Sequence, residues 1–66
     1  MAKHEEIAWI PMCIPDKGSP WFYHAGVRDL ARDARDDFAK HCAMEWKALR
    51  AEGWRVVRVR LTTDLH

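Results

Sequence analysis

No apolar stretch of this chain approaches the roughly 18 residues that a membrane-spanning helix needs. The longest, Ile7 to Ile14, is broken by Pro11. Cysteine is scarce: there are only two, Cys13 and Cys42, too few for a disulfide framework, and they read as reduced, buried thiols. Glycine is scarce too, and three scattered residues leave no Gly-rich loop to cradle a phosphate. Neither sign of charge dominates. Eleven Lys and Arg stand against ten Asp and Glu, for a formal net charge of +1, so a general electrostatic pull toward nucleic acid is absent. The first residues carry Glu5 and Glu6 and no small-residue cleavage site. No signal peptide is therefore expected, and the expected location is cytoplasmic.

What the chain has in abundance is aromatic surface. Its 66 residues include four Trp (Trp9, Trp21, Trp46 and Trp54), together with Phe22, Phe38 and Tyr23. An aromatic ring of this size removes roughly 200 Å² from water when buried. A domain this short buries only about 60% of its unfolded surface, so one core cannot hide them all. Some are expected at a rim or in an interface.

The expected architecture is one domain over residues 1–66 of the α+β class. A three-stranded antiparallel sheet, in ββαβ order, carries one long amphipathic helix packed on one face. The apolar, partly β-branched run 6–14 reads as a strand, with Pro11 at an edge or a bulge because it lacks an N–H. Pro15-Asp16-Lys17-Gly18-Ser19-Pro20 is turn chemistry, and 21–25 is the return strand of a hairpin. From 26 to 52 the period becomes helical. Val27, Leu30, Ala31, Ala34, Phe38, Cys42 and Leu49 fall on one side, with Trp46 and Ala48 near its borders. Asp29 belongs to the first turn, where the helix dipole favours an anion, and Gly53 is a left-handed stop. Residues 54–63 form the closing strand. Its alternation is read with Val57, Val59 and Leu61 toward the helix and Trp54, Val56, Arg58, Arg60 and Thr62 away from it. Met1 to His4 are expected to fray.

Several constellations bear on function. An Arg/Trp surface suits a protein interface, where Trp, Tyr and Arg dominate the energetics. The partner-binding candidates are Trp21, Tyr23, Trp54, Arg58 and Arg60. The same Arg58/Arg60/Trp54 face would also suit single-stranded nucleic acid, by stacking and phosphate contacts. The helix face with Asp29, Asp33, Asp36 and Asp37, interleaved with Arg28, Arg32, Arg35 and Lys40, reads as a solvated face with local ion pairs. Cys13, His24, His41 and Cys42 are ligand types for zinc, but no CxxC or HxxxH spacing joins them. No pattern marks a thiol of lowered pKa, and a chain this short has little room for an enclosed pocket. No catalytic residue, metal ligand or cofactor is assigned, and the chain is expected not to be an enzyme. Glu45 stands out, because a continuous helix places it close to the middle of the apolar stripe, where an unpaired carboxylate is costly.

Two resemblances follow. Leu49-Arg50-Ala51-Glu52-Gly53-Trp54-Arg55-Val56-Val57-Arg58-Val59 is similar to the helix–glycine–strand unit near the end of very-short-patch-repair-type nucleases. That chemistry needs upstream metal-binding carboxylates on a larger sheet, and these are missing. Glu45-Trp46-Lys47 mimics an ExK triplet but falls inside the expected helix, so nuclease activity is not expected. In size and layout the whole chain resembles small phage and prophage accessory proteins that inhibit host machinery, anti-CRISPR proteins among them. The parts are Trp21-Phe22-Tyr23, a helix from Asp29 to Arg50 and a strand from Arg55 to Leu61. The resemblance implies a stoichiometric inhibitor that occludes a host protein or protein complex, and it transfers no functional residue. The alternatives are a nucleic-acid-binding domain and a homodimeric structural protein.

Overall fold

The computed structural model describes the backbone of residues 2–65 and the side chains of residues 3–63. In chain order the elements are β1 (Ala2–Cys13), β2 (Trp21–Phe22), a 3-10 turn (His24–Gly26), α1 (Ala31–Cys42), α2 (Trp46–Ala51) and β3 (Trp54–Leu65). The α+β class and the three-stranded antiparallel sheet are as expected, with β1 central in the order β2-β1-β3. The single long helix is not: two helices and a 3-10 turn stand between β2 and β3. Most of the sheet is one long ribbon, because β1 and β3 pair from Ala2 opposite Leu65 to Cys13 opposite Trp54. Ala2 to His4, expected to fray, are paired in this ribbon, while Met1 lies outside the described residues.

Pro11 explains why β2 is only two residues long rather than the expected 21–25. Pro11 sits in the central strand, not at an edge. Its carbonyl accepts from Tyr23 N–H at 2.9 Å on the β2 side, where Trp9 also exchanges both backbone bonds with Arg28, at 2.8 and 2.9 Å. Proline has no N–H to continue that ladder. The chain therefore leaves the sheet as the 3-10 turn and rejoins it at Arg28. Gly26 lies so close to the proline ring that a Cβ there would come within 2.9 Å of Pro11 Cγ and Cδ.

The helix breaks after Cys42. Ala43 adopts the left-handed conformation, φ 53°. Its N–H reaches Lys40 O, and Met44 N–H reaches Ala39 O at 3.1 Å, the paired bonds of a Schellman stop. The break resolves the problem at Glu45. That residue becomes the exposed N-cap of α2 instead of entering the apolar stripe, and Leu49 is carried inward to 2% exposure. Asp29 precedes α1 rather than lying in its first turn. Gly53 ends α2 with φ +102°, the left-handed geometry expected of it.

Successive strand residues face opposite sides, and directly paired residues share a side. Trp54 lies opposite Cys13, as does Trp21. Phe38 of α1 meets the Trp54 ring at 4.4 Å. The helices therefore cover the face bearing Trp9, Pro11, Cys13, Trp54, Val56 and Arg58, called here the inner face. This reverses the expected orientation of β3: Val57, Val59 and Leu61 point away from the helices, onto the outer face. Ala34, Phe38 and Leu49 form the helical side of the core, and each large apolar side chain buried there contributes about 1.5–3 kcal/mol.

Candidate functional site

The five residues expected to bind a partner fall into two groups. Trp21, Tyr23 and Trp54 belong to one aromatic cluster at the hairpin end. Trp21 meets Trp54 edge-on at 5.0 Å, and Phe38 joins Trp54 at 4.4 Å and Tyr23 at 5.1 Å. Within the cluster Tyr23 and Trp54 are half-buried, while Trp21 stays 50% exposed. Arg58 and Arg60 lie four and six residues further along β3, opposite Trp9 and Ile7. At about 3.3 Å per residue, that is roughly 13 and 20 Å from Trp54. Both are exposed. They border a shallow depression of about 410 Å³ with Ile7 and Val59.

The outer face is the largest feature that sequence reasoning missed. Ile10, Phe22, Val59 and Leu61 line one open depression of about 390 Å³, with His24 and Arg60 at its border. Among the described residues, no residue of α1 or α2 lines it. Ile10 is buried at 4% exposure, whereas Phe22 is 40% and Leu61 43% exposed. Beside this face, β3 presents a twelve-residue outer edge that pairs with no strand among the described residues. Unpaired N–H and C=O groups along such an edge are a template for another strand.

A second missed feature lies on the helix side. Arg32 and Arg35 from α1, Trp46 and Arg50 from α2, and Arg55 from β3 line one hollow of about 330 Å³ over Val56. Arg55 is held in place: its Nη1 donates to Trp54 O at 2.7 Å and to Arg50 O at 3.0 Å. The break after Cys42 brings these residues together, which is why a continuous helical wheel did not reveal them.

The acidic helix face has one structural member. Asp37 Oδ2 accepts from Arg28 Nε at 2.9 Å, while Arg28 Nη1 also holds Val27 O at 2.7 Å, pinning the re-entry loop to α1. Asp33 and Asp36 pair with the adjacent Arg32 and Arg35 at 4.0 and 3.0 Å. These pairs are exposed and worth about 0–1 kcal/mol each. Cys13 and Cys42 are free thiols, buried and half-buried respectively. Among the described residues, no three His, Cys, Asp or Glu side chains are gathered where they could hold a metal ion. Glu45-Trp46-Lys47 opens α2 and lies on no strand. No helix of the described residues is long and apolar enough to cross a membrane.

No family model, curated protein or solved structure matches the chain.

Proposed function

We propose that the chain is a non-catalytic protein-binding module that docks through the outer face of its sheet and the adjoining edge of β3. The observation that carries this reading is the pair of exposed apolar side chains Phe22 and Leu61 on a sheet depression that no α-helix residue lines among the described residues. A quantity of area supports it. The chain exposes 5151 Å² at 7.8 kDa, where a compact protein of that mass leaves about 4,400 Å². The partner is a protein that presents an apolar surface to the face, or a strand to the edge. Arg60 stands at the rim, a residue type that carries interface energy. The resemblance to phage-type inhibitors suggests the mode of action, stoichiometric occlusion of a surface on a host complex. Nucleic-acid binding at Trp54, Arg58 and Arg60 has less support, because the Trp54 ring is packed between Trp21 and Phe38.

The test compares capture from a bacterial lysate by wild type, by Val59→Lys/Leu61→Lys and by Arg58→Glu, with circular dichroism confirming that all three fold. A protein captured by wild type should be lost, at least about tenfold, by the outer-face variant and retained by Arg58→Glu, since lost apolar burial plus a desolvated Lys exceeds about 1.4 kcal/mol. Equal recovery by all three, or equal loss in both variants, sinks the reading. Sedimentation of the wild type separates a second copy of the chain from a foreign partner.

A further inference from the structure

We infer that the hollow framed by Arg32, Arg35, Arg50 and Arg55 around Trp46 is a binding site for a phosphate-bearing ligand, the backbone of single-stranded nucleic acid. The site lies on the helix side of β3 and is independent of the sheet-face reading. Its charge is sorted, not surplus: four guanidinium groups line one hollow in a chain whose net charge is only +1. Among the described residues, no carboxylate lines the hollow. Among the described residues, none lies within salt-bridge distance of Arg50 or Arg55, and the carboxylates paired with Arg32 and Arg35 belong to the next residue along the exposed helix. Like charges brought together repel unless an anion neutralises them. Arginine's planar fork matches two phosphate oxygens at once.

Two observations narrow the ligand class. Two backbone carbonyls hold the Arg55 guanidinium, so part of the ordering cost of a phosphate contact is met before binding. Trp46 is half-buried in the same wall, and an indole is a ring on which a base can stack. At about 330 Å³ the hollow lies near the lower end of small-ligand sites, roughly 300–1,000 Å³. Bases of a duplex are already stacked and turned inward, whereas those of a single strand are free to splay onto an aromatic ring.

The experiment titrates the full chain with a fluorescein-labelled oligothymidylate at several salt concentrations and follows anisotropy. Binding should weaken with salt, with a slope of about −2 to −3 for three or four phosphate contacts to a single strand. Arg32→Ala/Arg50→Ala should lower affinity by at least about tenfold, the scale of one lost charge-assisted hydrogen bond. Arg58→Ala/Arg60→Ala, the charge-matched control on the ribbon, should change it less than about threefold, the screening-limited effect of distant charge. Trp46→Ala should cost a further several-fold, from lost stacking. No binding at low salt overturns the inference. So does an equal loss in both arginine pairs, which would mean diffuse charge. Equal affinity for a polyglutamate peptide or for anionic phospholipid vesicles overturns the assignment to nucleic acid.

Discussion

Gly53 is the residue on which the turn from α2 into β3 depends. Its φ of +102° lies where side-chain-bearing residues are strained. Its carbonyl accepts from Ile14 N–H at 2.8 Å, which closes the end of the long ribbon. A Cβ at this position would run into the backbone carbonyl of Ile14, and backbone cannot swing aside as a side chain can. Gly53→Ala should therefore cost at least about 2 kcal/mol, from strain and overpacking together. A domain of this length holds roughly 3–10 kcal/mol in total. The urea midpoint checks this: a variant indistinguishable from wild type would mean that the turn is not held in this geometry. At the same scale, Gly53, Ala34, Phe38 and Leu49 were legible in the sequence. A left-handed stop and an apolar stripe are properties of local order along the chain. Phe22 and Leu61 were not legible as surface residues, since nothing local distinguishes an exposed aromatic or Leu from a buried one.

At the scale of elements, the two helices differ from the single one that the pattern suggested. The apolar stripe continues through 43–45 in the sequence, but Glu45 lies close to its middle. The structure reorients the second half at the cost of one left-handed alanine. Ala43 has φ 53° with the Schellman bonds already made, so a residue without Cβ fits the same geometry with less strain. Ala43→Gly should stabilise the protein by about 0.5–1 kcal/mol, a rise of about 2–8 °C in the thermal midpoint for a domain of this size. A fall instead would mean that α1 and α2 are one helix in solution. The hairpin was legible in its turn residues, but the length of β2 was not. It depends on which side of β1 the missing N–H of Pro11 faces, and only pairing decides that.

For the molecule as a whole, shape is the notable property. The radius of gyration is 13.5 Å and the extents are 44 × 26 × 14 Å, against about 11 Å expected for a compact chain of this length. The helices and aromatic cluster gather at one end, near Trp54, Val56, Pro11 and Cys13. Beyond Ile7 and Arg60 the sheet is two strands without a third. A two-stranded ribbon is marginal by itself, so native-state hydrogen exchange should be graded along the long axis. Amides of residues 3–6 and 61–63 should exchange well before those of residues 8–10, 12 and 13, which open only with the core. Uniform protection along β1 would show that the ribbon is covered in solution, as a docked partner or second copy would cover it.

The sequence alone determined the class of each major element, the hairpin, the stop at Gly53 and the apolar stripe of the helices. Each follows from residues within a few positions of one another. It also indicated that more aromatic surface exists than one small core can hide. Tertiary structure decided where that surface lies. A period-two pattern says that two sets of residues face opposite ways, but not which set meets the helices. In β3 both sets carry valine, so hydrophobicity could not choose between them. Contacts distant in sequence made the choice: Phe38 on Trp54, Gly26 on Pro11, and Trp21 and Trp54 flanking Cys13. Those contacts turned Val57, Val59 and Leu61 outward and gathered four arginines around Trp46.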